Sequence, residues 1–261
     1  MLLPEWYVVL AAGLLGAALG SFLNVCVYRW PAEQSVVSPR SRCGACGTTI
    51  AWYDNIPVLS WLLLRARCRH CGSPISLQYP LVELAVAAIW GLAVWQLGPG
   101  AEALRLASFL TILLGIALTD AREMVIPDQF TVPGTALGLL LASIPGGLPF
   151  RSALIGAAVG YALLWGVKLA AEKALRKPAL GVGDIHMMAL VGAFTGPIGV
   201  LLTLMLGSAL GLVLGVPVMW LRGRLLPMQS YLPLGLFLAL GGAVTILWGP
   251  SIIDWYLRTV L

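Results

Sequence analysis

Residues 6–28, WYVVLAAGLLGAALGSFLNVCVY, contain no charged side chain and decide the fold of this chain. About 20 apolar residues in a helix span the hydrocarbon core of a bilayer, which is about 30 Å thick. The whole chain of 261 residues shares this character, with 59% hydrophobic and 10% charged residues. Soluble domains have about 25% charged residues. We therefore predict an integral membrane protein whose first span is a retained helix.

Seven more apolar stretches follow the first. They lie at residues 80–98, 102–119, 130–146, 152–171, 184–198, 200–221 and 231–249. Lipid offers the backbone no water to bond, so each stretch is predicted to be a helix. The residues Gly196-Pro197-Ile198-Gly199 predict a tight hairpin between the sixth and seventh spans. The predicted fold class is an all-α polytopic membrane protein with about eight transmembrane helices and a small zinc-stapled cytoplasmic loop domain.

The basic residues predict how the spans are oriented. If the loop 29–79 faces the cytoplasm, that side carries 13 of the 16 lysines and arginines. Short cytoplasmic loops are enriched in these residues. We therefore expect a multi-pass inner-membrane protein, in contact with membrane lipid. The topology explains the net charge of +5, so no nucleic-acid partner is predicted.

Four of the five cysteines lie in the loop 29–79, as the pairs Cys43-Gly-Ala-Cys46 and Cys68-Arg-His-Cys71. Two such pairs are typical of a four-thiolate zinc site, although disulfides and free thiols are alternatives. A reducing cytoplasm disfavours disulfides. Four thiolates leave zinc no open position, which predicts a structural metal. A loop of this size also needs such a staple, because its core is too small to fold alone.

The residues near the cysteine pairs, and the fifth cysteine, also have predicted roles. Gly47 and Gly72 follow the two pairs and suit a tight turn around a metal. His70 is expected to be a surface residue, and Cys26 a buried apolar one. The apolar run 52–64 is too short to span and is predicted to lie at the membrane interface.

Three parts are predicted along the chain. Residues 1–28 form the first transmembrane helix, residues 29–79 the zinc-containing loop domain, and residues 80–261 a seven-helix membrane core.

Two aspartates stand at the ends of predicted spans. Asp120 closes the third, and Asp184 opens the sixth after Gly181-Val182-Gly183. The topology places both at the cytoplasmic boundary, where two helices can bring them together. Close carboxylates share a proton, so that one activates water while the other polarises a carbonyl group. The pair therefore favours peptide hydrolysis, with the glycines Gly181 and Gly183 leaving room for an extended peptide.

Other interpretations of these carboxylates remain open at this point. Asp184 could be a helix N-cap, and Asp120 a solvated loop residue. Asp128 is expected to cap the fourth span. Glu83, at the start of the second span, could be an interfacial residue or a substrate-binding group. Paired aspartates could instead couple protons in a transporter, which would predict carboxylates near the midplane and an internal repeat. An inactive scaffold organised by zinc is a third class.

Motifs along nearly the whole chain resemble, in order, those of the bacterial type IV prepilin peptidases, the leader peptidase/N-methyltransferase family of the GxGD aspartic proteases. They are the cysteine pairs, GSFLNVCVYR (20–29), YDNIPVLS (53–60), YPLVE (79–83), Asp120, IPD (126–128), GVGD (181–184) and LPLG (232–235). The resemblance implies that Asp120 and Asp184 are the catalytic pair. It also implies cleavage after a glycine in the leader of prepilin or pseudopilin precursors, and methylation of the new N-terminus with S-adenosylmethionine.

The chain departs from the family pattern at two positions. His186 stands where family members usually carry lysine, so the local field on Asp184 is expected to differ. Leu234 stands where phenylalanine is common. Pro178-Ala179-Leu180 resembles a motif of presenilin-like proteases, but its position and the cysteine pairs argue against that family. No Rossmann-type glycine motif supports the methyltransferase independently.

Overall fold

The computed structural model describes residues 5–176, 180–215, 217–218 and 233–260. Helices dominate, and the described residues form no sheet. The helices are α1 (Glu5–Arg29), α2 (Leu59–Leu63), α3 (Gln78–Leu97), α4 (Ala101–Glu123), α5 (Asp128–Ala142), α6 (Phe150–Leu175), α7 (Val182–Leu210) and α8 (Leu234–Val260). A 3-10 turn covers Trp52–Asn55, and a π-helical turn follows α7 at Gly211–Gly215.

Six helical ranges in the described part of the chain are long and apolar enough to cross a membrane. They are Trp6–Arg29, Gln78–Leu97, Ala101–Glu123, Phe150–Leu175, Val182–Gly215 and Leu234–Thr259. The chain is thus an all-α, multi-pass membrane protein, which confirms the predicted fold class.

The count of eight spans differs from these six for two reasons. The predicted fourth span is α5, whose 15 residues rise about 22 Å, less than the length of the six ranges above. It still runs in the same direction as the first half of α7, since Gly134 packs against Leu190 and Gly138 against Phe194. The sixth and seventh spans both fall within the range of α7, whose helix is broken at Gly196. Parts of the last two predicted spans, the loop 222–230 and the Pro178-Ala179 dipeptide lie outside the described residues.

The chain reverses direction within α7. Gly196 has φ 74° and ψ −179°, so the helix breaks there, before Pro197. The contacts of the two halves show the reversal. Gly183, at the start of α7, packs against Ile126, and Ile126 also packs against Gly235 at the start of α8. Gly207, near the end of α7, also packs against the start of α8. Both ends of α7 therefore lie at the same end of the bundle, as the hairpin prediction requires.

The chain consists of two compact units, Met1–Thr111 and Ile112–Leu261. In the first, α1 packs against α3. A methyl group on Gly16 would lie 2.7 Å from the carbonyl oxygen of Val86. Nδ2 of Asn24 donates to the carbonyl oxygen of Tyr79 at 3.2 Å. Small residues let the two backbones approach closely, as is common in membrane helix pairs.

In the second unit, α6 and α7 pack backbone to backbone. Gly156 of α6 faces Gly192 of α7, and Gly160 faces Met188. A Cβ atom at either α6 position would collide with a carbonyl group of α7. This contact matters for function because α7 carries Asp184 at its start.

We predict that Gly156→Ala destabilises the protein by about 1–3 kcal/mol, because its methyl group would force α6 away from α7. Gly166→Ala in the same helix is the matched control. A Cβ atom at Gly166 meets no atom within 4 Å, so this change should be neutral or stabilising by up to about 1 kcal/mol. Thermal unfolding in detergent measures both. Equal stability of the two variants would contradict the backbone contact.

Candidate active site and metal centre

The four loop cysteines come together in space. Their sulfur atoms, in Cys43, Cys46, Cys68 and Cys71, all lie within 4.8 Å of one another, and all four are free thiols. The sulfurs of Cys43 and Cys71 are 3.8 Å apart. Zinc–sulfur bonds of about 2.3 Å in a tetrahedron place the sulfurs about 3.8 Å apart. The cluster is thus consistent with the predicted four-thiolate zinc site.

The two cysteine pairs form the same local structure twice. In the first, the N–H of Cys43 donates to Thr48 and the N–H of Gly47 donates back to Cys43, both at 2.9 Å. In the second pair, the N–H of Cys68 donates to Ser73 and the N–H of Gly72 donates back to Cys68. The two glycines have φ of +71° and +69°, as the predicted turns require.

The surroundings of the Cys43 sulfur favour its metal-binding form. Hydrogen bonds from the backbone of Cys46, and then from the Ser73 hydroxyl, lower the pKa of the Cys43 thiol to about 5. Zinc binds the thiolate, so a lowered pKa reduces the competition from protons. His70 is exposed and lies outside the cluster, as expected for a surface residue. Cys26 is buried in α1, as predicted.

A salt bridge ties the second cysteine pair to the apolar segment 52–64. Arg69 donates to both carboxylate oxygens of Asp54, at 2.8 and 2.5 Å. This hydrogen bonding lowers the pKa of Asp54. The same guanidinium lies 5.6 Å from the ring centre of Tyr53. Because Arg69 stands between two zinc ligands, the metal centre and this segment are held together.

Glu83 holds the other end of that segment. Its side chain is 7% exposed and accepts a 2.7 Å hydrogen bond from the N–H of Val58. Val58 has φ 62° and ψ −50°, and the N–H of Leu59 donates to the carbonyl oxygen of Pro57. This is a γ-turn with positive φ, a rare and strained conformation. Glu83 therefore binds the chain's own backbone in this structure.

Asp120 lies near the end of α4 and is 5% exposed. Its Oδ2 accepts a 2.8 Å hydrogen bond from the N–H of Leu236, and the N–H of Gly235 also acts on the carboxylate. Both donors belong to the first turn of α8, where free N–H groups favour an anion. The LPLG motif was visible in the sequence, but this role of its backbone was not predicted.

Asp184 is the third residue of α7 and is partly buried. Its carboxylate interacts with the backbone N–H groups of Gly181 and of Asp184 itself, and with the charge of Asp120. The N-cap of α7 is Gly181, so Asp184 does not occupy that position. The structure thus brings the two predicted aspartates together, each beside a helix N-terminus.

Ile126 fills the space among the three chain segments that carry or hold the aspartates. A methyl group on Gly183 would lie 2.8 Å from Cβ of Ile126, and one on Gly235 would lie 2.6 Å from its Cδ1. The space left by the missing side chain of Gly183 is therefore occupied by Ile126. The prediction from the sequence was that this space would admit a bound peptide. Gly181 differs, since a methyl group there would lie 2.9 Å from Oδ2 of Asp184.

His186 pairs with Asp128. Its Nδ1 lies 2.7 Å from Oδ1 of Asp128, and since an ionised carboxylate only accepts, Nδ1 is the donor. The ring of Tyr161 in α6 stacks on the imidazole at 6.1 Å. The expectation that Asp128 caps α5 is wrong, because the N-cap is Pro127 and makes no side-chain cap bond. Periodicity gave no signal for this cluster, which links α5, α6 and α7.

Two family models match the chain. The Bacterial Peptidase A24 N-terminal domain matches residues 14–97, and the Type IV leader peptidase family matches residues 107–216. The first match contains the cysteine cluster and Glu83, and the second contains both aspartates. No solved structure matches this chain.

Similar proteins carry the name prepilin leader peptidase/N-methyltransferase. The one from Pseudomonas putida is 37% identical over 271 residues, covering 95% of this chain and 93% of that protein. The one from Xanthomonas campestris pv. campestris is 36% identical, with coverage of 95% and 94%. The one from Myxococcus xanthus is 42% identical over 210 residues, covering 80% of this chain and 63% of that protein.

We predict that Cys43→Ser reduces the bound zinc to well below one ion per chain, because a tetrahedral site then lacks one thiolate. Cys26→Ala is the matched control. Cys26 is buried in α1 away from the cluster, so this variant should keep its zinc. Metal analysis of the purified variants measures the difference, and full zinc occupancy in Cys43→Ser would contradict the site.

Proposed function

This chain belongs to the type IV leader peptidase family, and on that premise we propose that it is a membrane aspartic endopeptidase. It removes the leader peptide of type IV prepilins or pseudopilins after a glycine and N-methylates the new N-terminus. The observation that supports the peptidase is that the buried Asp120 and Asp184 lie on chain segments that meet around Ile126.

The hydrogen bonds of the pair suggest how the work is divided. Oδ2 of Asp120 is occupied as an acceptor by the first turn of α8, which stabilises the ionised carboxylate. Asp120 is then the general base, and its other oxygen takes a proton from a water molecule. Asp184 holds the shared proton and donates a hydrogen bond to the scissile carbonyl group. Water attacks that carbonyl carbon and forms a tetrahedral intermediate. Asp120 then gives the proton to the amine nitrogen, the C–N bond breaks, and no covalent enzyme intermediate forms.

The position of the pair also limits the alternatives. Asp120 lies three residues before the end of α4, and Asp184 at the third residue of α7. A proton-coupled transporter would place such carboxylates near the middle of the membrane, so we do not propose one. We place the pair and the zinc loop on the cytoplasmic side of the inner membrane, since that topology gives this side 13 basic residues. The three-part division at residues 28 and 79 remains part of the proposal.

Zinc and S-adenosylmethionine differ in how well the described residues fit them. The four thiolates suit a structural zinc ion, which would hold the loop and leave no position for substrate. S-adenosylmethionine, the methyl donor, carries an ammonium and a sulfonium besides its carboxylate. A cavity of the first unit, between the end of α1 and the loop that follows it, is lined by Arg29 and Arg40, and none of the described residues in its lining is a carboxylate. This cavity does not fit the donor's positive charges, so we derive no step through that cofactor.

We expect Asp120→Asn and Asp184→Asn each to lower the rate of leader removal at least about 100-fold, because the pair can then no longer share a proton. Asp254→Asn is the matched control, since Asp254 is an exposed carboxylate near the end of α8. Co-expression with a prepilin and mass spectrometry of the product measure the leader loss. Cleavage at the normal rate by either dyad variant would refute the pair, and an uncleaved product with the unaltered chain would favour an inactive scaffold.

We also expect the His186–Asp128 bond to position Asp184, which lies two residues before His186 in α7. His186→Ala and Asp128→Ala each remove the hydrogen bond and should each lower kcat about 10-fold with little change in KM, since misplaced catalytic groups slow the chemical step. His186→Lys should retain activity, because its ammonium can still donate to Asp128. The double variant Asp128→Ala/His186→Ala should be no slower than either single one. Additive losses would show that the two residues act separately.

A further inference from the structure

The first unit contains a cavity of about 410 Å3 between the C-terminal half of α1 and the loop that follows it. This volume falls within the range of about 300–1,000 Å3 that is usual for ligand sites. The α1 wall consists of Ala18, Ser21, Phe22, Val25 and Arg29. These residues recur every three or four positions, so they form one face of the helix.

The charge of the cavity is positive. Arg29, from the end of α1, and Arg40, from the loop, both line it, and no carboxylate from the described part of the chain does. Nη1 of Arg29 donates to the backbone carbonyl of Ser35 at 2.8 Å. Neither arginine forms a salt bridge within the described chain. Two guanidinium groups without a negative partner favour an anionic ligand, and a guanidinium fork matches phosphate geometry.

The cavity changes from polar to apolar along α1. Arg29 is the last residue of the first candidate span, while Ala18 lies eleven residues earlier, about 16 Å along the helix. Phe22 and Val25 line the stretch between them. Trp52, also in the lining, is 74% exposed, and tryptophan favours the headgroup level of a membrane. A phosphate with an attached acyl chain fits this gradient, whereas a free phosphate would use only the charged end.

We propose that this cavity binds an anionic phospholipid. Its phosphate lies between Arg29 and Arg40, and its glycerol and upper acyl chain follow Phe22, Val25 and Ala18. Basic pockets at the ends of membrane helices bind acidic headgroups in this way. The site does not depend on the peptidase assignment, because none of its residues belongs to the aspartate pair.

The wall opposite α1 is held in place before any lipid binds. Asn55 and Pro57 belong to it. The next residue, Val58, is fixed by its hydrogen bond to Glu83, and Ser60 bonds the backbone of Ile56 and Tyr53. A preformed wall lowers the entropy lost on binding. A bound lipid would then join the loop to α1 at the membrane surface.

Native mass spectrometry of the full-length protein tests the site, with dioleoylphosphatidylglycerol and dioleoylphosphatidylcholine as probes. Arg29→Gln/Arg40→Gln should bind the phosphatidylglycerol about 25-fold more weakly, at about fivefold for each arginine. Arg42→Gln is the matched control, since Arg42 is exposed in the same loop but does not line the cavity. It should bind as the unaltered chain does. Equal binding by all three proteins, or equal loss in Arg42→Gln, would overturn the proposal.

A second variant keeps both charges and fills the cavity. Val25→Trp should also lose phosphatidylglycerol, while a full complement of zinc shows that its loop is folded. Retained lipid in this variant would place the lipid outside the cavity. Inorganic phosphate that competes as well as the lipid would indicate a small-anion site instead. If Arg29→Gln/Arg40→Gln binds the lipid normally but has a raised KM for prepilin, the two arginines bind the substrate and not a lipid.

Discussion

The hydrogen bonds between Asp120 and the first turn of α8 are the interaction on which the candidate active site depends. A carboxylate that is 5% exposed in a bundle of apolar helices loses its hydration, and the loss is costly unless other donors replace water. The N–H groups of Gly235 and Leu236 are such donors, and a helix leaves them free at its N-terminus. The second aspartate is held beside another helix N-terminus, that of α7. Both carboxyl groups are thus held by backbone groups, which cannot rotate away as side chains can.

Glycine makes this arrangement possible. The loop after α4, the start of α7 and the start of α8 meet around Ile126, and Gly183 and Gly235 have no room for a Cβ atom there. Alanine at either position would push its segment away from Ile126 and so change the separation of the aspartates. The G-x-G-D and L-P-L-G motifs therefore meet in one packing contact, although they lie about 50 residues apart in the chain.

Much of the fold follows from the sequence, because apolar length alone predicts a membrane helix. The cysteine pairs were equally informative, since ligand type and spacing define a zinc site, and the sulfurs do converge. The error at α5 has a simple origin. Residues 130–146 are apolar enough to span, but the helix ends at Ala142 before Ser143 and Ile144, and hydropathy carries no sign of where a helix ends. The partners of Asp128 and Glu83 could not be predicted either, because His186 and Val58 approach them only in the folded chain.

The contacts in the second unit explain where the sequence tolerates departures from the family pattern. In the second unit, the start of α8 is fixed by backbone N–H groups that bind Asp120. The side chain at position 234 therefore matters less than the N–H groups that follow it. Position 186 departs from the family pattern in a different way from position 234. Its partner Asp128 needs only a hydrogen-bond donor, which lysine and histidine both supply. Histidine in place of lysine therefore preserves the bond to α5 and adds the stacking on Tyr161, which a lysine side chain would not reproduce. Histidine at position 186 therefore changes how α7 is held against its neighbours. The two aspartates themselves stand where the family motifs have them.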